Sequence, residues 1–276
     1  MDQITELKKI GNQARQDIVE MIYRAKAGHA GGSLSVIDIL TVLYYAIMDV
    51  DPTNPQWEDR DRLILSKGHA APALYVTLME KGYFSKEHIG TLRKFGSILQ
   101  GHPDMTKTPG VDYTTGSLGN GLGAGNGYAM AARLRGAHYH TYVVVGDGEL
   151  QEGTIWESAM TTSTQHLTNL TVIVDNNGLQ VENFTKNIKD LGDLRAKWES
   201  FGFDTTVIDG HDYQQLLQAF QKTKEPHERP MAIIANTIKG KGVSFAENQI
   251  GWHKGDFTEE TYQQAMRELK EEEARL

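Results

Sequence analysis

Apolar residues recur at helical spacing through residues 4–26, where Leu7, Ile10, Ile18 and Ile22 lie near one face and predict an amphipathic helix. Ser35-Val36-Ile37-Asp38 resembles a capping box and predicts a second helix that opens there and runs to about Met48. A short apolar run over 62–65 ends in Ser66-Lys67-Gly68-His69. Pro72 suits the first turn of the helix that follows, where its missing N–H is not needed. A glycine-rich stretch, 116–127, leads into a helix through Ala132. From Thr141 the texture changes. Apolar runs rich in β-branched residues at 142–145, 170–174, 205–208 and 231–234 read as buried strands, separated by helical patterns at 156–165, 193–201 and 213–222. This alternation predicts an α/β fold, a parallel sheet with helices on both faces. The tail, 258–276, reads as a charged helix. No repeat, low-complexity linker or boundary divides the chain, so 1–276 reads as a single domain.

Composition narrows the function classes. The 276 residues carry a formal net charge of −8, which offers no basic field for broad nucleic-acid binding. There is no cysteine, so disulfides, thiolate zinc sites and a cysteine nucleophile are all excluded. Met1-Asp2-Gln3-Ile4 lacks the basic and apolar regions of a signal peptide. The apolar stretch near 37–48 reads as too short and too interrupted to span a bilayer. The expectation is a cytoplasmic protein with no membrane and no nucleic-acid partner.

Several strands end directly in polar or glycine residues: Gly146-Asp147, Asp175-Asn176, Asp209-Gly210 and Asn236-Thr237. Ligands of open α/β sheets bind beyond the carboxyl ends of the strands, so these loops are where a site is expected. The most informative is Val143-Val144-Val145-Gly146-Asp147-Gly148-Glu149, in which a carboxylate stands between two glycines that let backbone approach a bulky anion. Asp-Gly pairs also occur in plain turns. The next strand ends in Asp175-Asn176-Asn177-Gly178, and if the two strands are neighbours, Asp147 and Asn177 reach one edge as hard oxygen ligands. With a backbone carbonyl and phosphate oxygens they suit octahedral Mg²⁺.

Gly146-Asp147-Gly148 followed by Asn177 resembles the GDG…NN signature of thiamine-diphosphate enzymes. Gly28-His29-Ala30-Gly31-Gly32-Ser33-Leu34-Ser35, Ser66-Lys67-Gly68-His69-Ala70-Ala71-Pro72, Gln100-Gly101-His102-Pro103 and Thr115-Gly116-Ser117-Leu118-Gly119 resemble segments of the transketolase family in the same order, up to about Gly255. The resemblance implies the diphosphate-binding, N-terminal half of a transketolase with the thiamine-diphosphate-binding fold. It implies thiamine diphosphate and Mg²⁺, or another divalent cation such as Ca²⁺ or Mn²⁺, as cofactors. Asp147, Asn177 and the Leu179 carbonyl would be the metal ligands. His69, Gly116, Ser117, Leu118, Asp147, Gly148, Glu149 and Asn177 would be the cofactor-binding set. His29, His102 and His253 would line the substrate channel, and Glu152 would link two active sites across a dimer. Histidine suits this chemistry because it moves protons near neutral pH. His138, His140, His166, His211 and His227 match no motif and are assigned to the surface or strand edges.

Two patterns mislead. Gly119-Asn120-Gly121-Leu122-Gly123-Ala124 fits GxGxxA, but no apolar strand precedes it. Lys239-Gly240-Lys241-Gly242 lacks the spacing and hydroxyl of a phosphate loop and instead resembles the TxKGxG segment before the channel histidine. Lys254 stands where glycine commonly follows that histidine, an extra cation that would favour an anionic substrate or simply face solvent. A full transketolase has a second domain that holds the cofactor's pyrimidine. No residues remain for it here, so the resemblance implies a partner, the C-terminal transketolase subunit, most simply in an α2β2 assembly acting on sugar phosphates. The competing readings are a relative such as a deoxyxylulose-phosphate synthase or a 2-oxo acid dehydrogenase α-subunit, and a non-catalytic cofactor-binding protein. Pentose phosphates, sulfosugars and rarer ketoses all stay open as substrates.

Overall fold

The computed structural model describes residues 2–276. Five strands, β1 (Arg62–Leu65), β2 (Thr141–Gly146), β3 (Leu170–Asn176), β4 (Asp204–Asp209) and β5 (Met231–Asn236), form one sheet in the order β1-β2-β3-β5-β4. Every pairing in it is parallel. Parallel neighbours need crossovers, and the helices supply them on both faces. The strand interiors show why both faces must be covered. Tyr142, Val144 and Ile173 pack into one apolar core, while Val143, Val145, Val172 and Val174 pack into a second on the opposite side. Side chains alternate along a strand, so a continuous β-branched run can be buried only between two layers.

One layer holds α1 (Gln3–Ala25), α2 (Ala30–Val42), α3 (Ala71–Lys81) and α8 (Tyr213–Lys222). The other holds α4 (Asn120–Arg135), α5 (Gly153–Thr164) and α7 (Leu194–Ser200). A short turn of helix, α6 (Thr185–Ile188), follows β3, and α9 (Glu259–Glu273) packs on α1. Thr258 closes a capping box at the start of α9, satisfying N–H groups that the first turn leaves open.

The α2 boundary differs from the one the sequence suggests. The helix begins at Ala30, not at Ser35, with His29 in the capping position. Ser35 and Asp38 lie inside it, where their side chains reach other elements: the Ser35 hydroxyl donates to Asp175 Oδ2 at 2.7 Å. A π-helical turn, Leu43–Ile47, continues the helix. The span Ala30–Ile47 is long and apolar enough to cross a membrane, longer than the run read from sequence, yet 83% of it is buried in the core. Its apolarity serves packing between the sheet and its neighbouring helices.

The strand at 205–208 is also not buried as expected. β4 is the sheet edge, with Asp204, Val207 and Asp209 exposed. Its β-branched residues suit an edge strand equally well, since β propensity does not report position in the sheet.

Candidate active site

The carboxyl ends of β2 and β3 lie side by side, with Gly146 in register with Asp175. Asp147 and Asn177 therefore emerge at one edge. The buried Asp147 carboxylate accepts from the Gly178 N–H at 3.0 Å and from the Thr185 hydroxyl at 2.8 Å, which ties the β2 end to the loop after β3. Burial pushes this carboxyl up, and the neighbouring Asp175 adds to the shift. A cation beside it would relieve both effects. Asn177 Oδ1 accepts from the Leu179 N–H at 3.2 Å. The Leu179 carbonyl accepts from Lys239 Nζ at 2.8 Å. A carboxylate, a side-chain amide and a backbone carbonyl on one edge are a hard-oxygen set that fits Mg²⁺. A cavity of about 460 Å³ opens beyond these strand ends, with Asp147, Asn176, Gly178, Thr185 and Asn236 on its walls.

Beneath this edge lies a charge pair that sequence reasoning passed over. Lys67 Nζ donates to Asp175 Oδ2, and both side chains are buried. Asp175 also accepts from Ser35 and Thr237. Burial alone would raise its carboxyl, but Lys67 and these hydroxyls hold it below the usual range. The available signal was a charged residue closing an apolar strand. Removing one partner strands the other in the interior, so Lys67→Met is expected to cost about 3–5 kcal/mol of stability. Urea unfolding of the full chain checks this.

Three imidazoles converge nearby. The His29, His69 and His253 rings stand 5.3–5.4 Å apart, centroid to centroid, in a closed triangle. They come from the α2 cap, from the 3₁₀ turn Gly68–Ala70 after β1, and from the loop before α9. Burial, then the charges of His102, Lys254, Arg93 and Lys239, lower His29 to about 4. Burial, then Lys239 and other neighbours, lower His253 to about 3. His69 is driven well down by burial and by Lys67. All three are therefore neutral at neutral pH and can accept protons. His253 Nδ1 is buried and has no protein partner among the described residues.

His102 is exposed beside this triangle, and burial with the Arg93 charge lowers it as well. Gly116 lies against it. The Gly116 backbone has φ +147°, a conformation that calls for glycine, and a Cβ there would stand 3.3 Å from His102 Cγ. Close approach also governs the first turn of α2, where a Cβ on Gly31 would stand 2.9 Å from Lys239 Cγ. Lys239 is thus packed against a helix N-terminus. Its ammonium is buried, and burial and the nearby Lys67 lower it to about 8. Sequence reading noted this lysine only as part of a motif; its place over the β3 edge is a tertiary result.

The remaining site residues are dispersed. Ser117 and Leu118 are exposed in the loop before α4. Glu152 stands exposed at the start of α5, and its stem lies close to Gly119. The Glu149 carboxylate is buried and accepts from Ser66, from Gly119 N–H at 2.9 Å and from Gly146 N–H at 3.0 Å. Those bonds tie the β1 end, the loop before α4 and the β2 end together. Gly148 opens the 3₁₀ turn after Asp147. Of the histidines without a motif, His138 and His166 are exposed. His140 is buried and bonded to Thr171 at 2.8 Å, and His211 is bonded to Asp38 at 2.7 Å, so neither is a bare surface residue.

A parallel sheet whose strand ends gather buried carboxylates, amide and carbonyl oxygens beside a cluster of imidazoles defines an α/β protein with a polar site at its carboxyl edge. Residues 7–273 match the family described as transketolase, thiamine diphosphate binding domain, and the chain belongs to that family. It is 44% identical over 269 residues to an apulose-4-phosphate transketolase subunit from Phocaeicola vulgatus, covering 98% of this chain and 95% of that protein. It is 42% identical to the 6-deoxy-6-sulfo-D-fructose transketolase subunit SqwG of a Clostridium species, covering 99% of each. Among solved structures, the transketolase of Campylobacter jejuni superposes with a TM-score of 0.92 at 32% identity, over 98% of this chain and 43% of that one. The chain thus spans about two fifths of the length of that transketolase.

Proposed function

We propose that this chain is the N-terminal, diphosphate-binding subunit of a two-chain transketolase. It would transfer a two-carbon ketol unit from an anionic ketose to an aldose. The observation that carries this reading is the triangle of neutral imidazoles beside the Asp147–Asn177 edge. The near end-to-end match to two proteins named as transketolase subunits supports the division into chains. The proposed assembly is α2β2 with a C-terminal transketolase subunit, in the cytoplasm, and this chain contributes one domain. Ketol transfer by the copurified pair tests the proposal.

Thiamine diphosphate, when bound, supplies the carbanion nucleophile and the electron sink. The protein's part is to hold and to move protons. Asp147, Asn177 and the Leu179 carbonyl would ligate Mg²⁺ or a similar cation. Gly148, His69 and Lys239 would face the diphosphate, with the Lys239 ammonium leaving the Leu179 carbonyl to the metal. Gly116, Ser117 and Leu118 would lie along the cofactor's rings. His29, His102 and His253, being neutral, would take protons from sugar hydroxyls and return them to the developing alkoxide. Glu152, on the exposed start of α5, would meet a second copy. Arg93 and Lys254 place positive charge around the imidazoles, which suits a substrate bearing phosphate or sulfonate.

His102→Ala is expected to lower kcat/KM with a ketose donor by about 10²-fold or more, the usual scale for acid–base groups. Cofactor affinity should stay within about threefold, because the effect belongs to the transition state. Steady-state kinetics and calorimetry on the same preparation separate the two. A kcat/KM near that of the unaltered protein would reduce His102 to a loop residue.

A further inference from the structure

A buried polar cluster lies behind the site and takes no part in the roles assigned above. Asp38, inside α2, accepts from Arg15 Nη2, from the Tyr213 hydroxyl and from His211 Nδ1 at 2.7 Å. Burial would raise this carboxyl, but Arg15 and His211 outweigh that and hold it well below the usual range. Asp38 is thus a carboxylate and can only accept. His211 Nδ1 must therefore carry the hydrogen. The opposite ring nitrogen, Nε2, accepts from the Ile238 N–H at 2.8 Å and must be bare. The two bonds together specify one neutral tautomer of His211.

We propose that Asp38 and His211 are a positioning dyad that sets the Ile238 backbone and thereby aims the Lys239 ammonium over the carboxyl edge of β3. Ile238 is the residue before Lys239, and its amide is a short lever on that side chain. The segment is pinned at successive points. Thr237 N–H donates to the Asn176 carbonyl at 3.1 Å, Gly240 N–H donates to the Gly31 carbonyl at 3.0 Å, and the Lys239 carbonyl accepts from Asn248 N–H at 2.8 Å. Those three pins are backbone to backbone. The one at Ile238 is made by a side chain, and that side chain is oriented by a carboxylate from a different helix. The dyad therefore couples α2, whose first turn touches Lys239, to the segment that carries it. A cavity of about 470 Å³ borders Arg15, Asp38, His211 and Tyr213, so water can enter if the imidazole is removed.

The role of Lys239 rests on the cofactor-site reading above, while the tautomer and the Ile238 anchor do not. The test uses the full chain and the variants His211→Leu and His211→Gln. Imidazole ¹⁵N spectra of the unaltered chain should show the neutral Nδ1–H tautomer at His211. Calorimetry with Mg²⁺ and inorganic pyrophosphate should show about 10-fold weaker binding in His211→Leu, the scale of losing one positioning hydrogen bond. His211→Gln can donate to Asp38 and accept from Ile238, and should recover most of that affinity. Exchange of the Ile238 amide should accelerate in the leucine variant and slow again with glutamine. An Nε2–H tautomer, or an Ile238 amide unchanged in His211→Leu, overturns the dyad. Pyrophosphate affinity unchanged in His211→Leu overturns its reach to Lys239. If the unaltered chain binds no Mg²⁺–pyrophosphate, the cofactor-site reading falls and the link to Lys239 falls with it, while the tautomer and amide results still decide the anchor.

Discussion

Asp147→Ala should abolish Mg²⁺-dependent binding of thiamine diphosphate, an effect larger than about 100-fold, since even substitutions one shell removed from a metal commonly cost 10–100-fold. The carboxylate sits between two strand ends and answers to two constraints at once. It accepts from Gly178 and Thr185, which shapes the loop after β3, and it places negative charge where a diphosphate and its cation would meet. Asp147→Asn separates these contributions, because the amide oxygen keeps an acceptor while the charge is lost. It should retain the fold and still bind the cofactor poorly. Calorimetry on the assembled complex reads both variants. Cofactor affinity unchanged in Asp147→Ala would remove this residue from the site, and unchanged affinity in Asp147→Asn alone would reduce its role to loop geometry.

The chain by itself should show no ketol transfer with thiamine diphosphate and Mg²⁺, and a second subunit should restore it. Apart from Gly116, Ser117 and Leu118, proposed to lie along the cofactor's rings, every cofactor-facing group proposed here belongs to the diphosphate end of the site. The groups that would bury the pyrimidine are proposed to come from the second subunit. A cofactor held at one end loses the burial energy of the other, roughly 25 cal/mol for each Å² left in water. Subunits that complete each other's sites bury large interfaces, about 2,000 Å² or more. The assay supplies a ketose donor and an aldose acceptor to rigorously partner-free chain and looks for new ketose. Robust turnover without a partner would end the two-chain reading.

Much of this architecture is local and therefore readable. Val143-Val144-Val145 has no polar alternation, and only a strand covered on both faces can bury it, so a parallel layered fold follows from a few residues. Gly146-Asp147-Gly148 and Asn177 announce themselves because chemistry confines them to strand ends. The errors arose where local and distant demands looked alike. Ser35 and Asp38 have the spacing of a cap, but they lie inside a helix because Asp175 in one case, and Arg15, His211 and Tyr213 in the other, satisfy their side chains. Glu149, close in sequence to Asp147, is held by Ser66, Gly119 and Gly146, partners that only the folded chain supplies.

By itself the sequence determined the α/β class, four of the five strands and most of the helices. These follow from periodicity, turn chemistry and short motifs, each a property of neighbouring residues. Tertiary structure alone decided which side chains meet. It brought His29, His69 and His253 into one triangle from segments 224 residues apart at the extremes. It buried Lys67 against Asp175, laid Lys239 on the Leu179 carbonyl and joined Asp38 to His211. The physical reason is that burial and charge pairing depend on distance in space. A lysine in a sequence is a solvated cation by default, and only the packed chain withdraws the water and supplies the partner that give it a function.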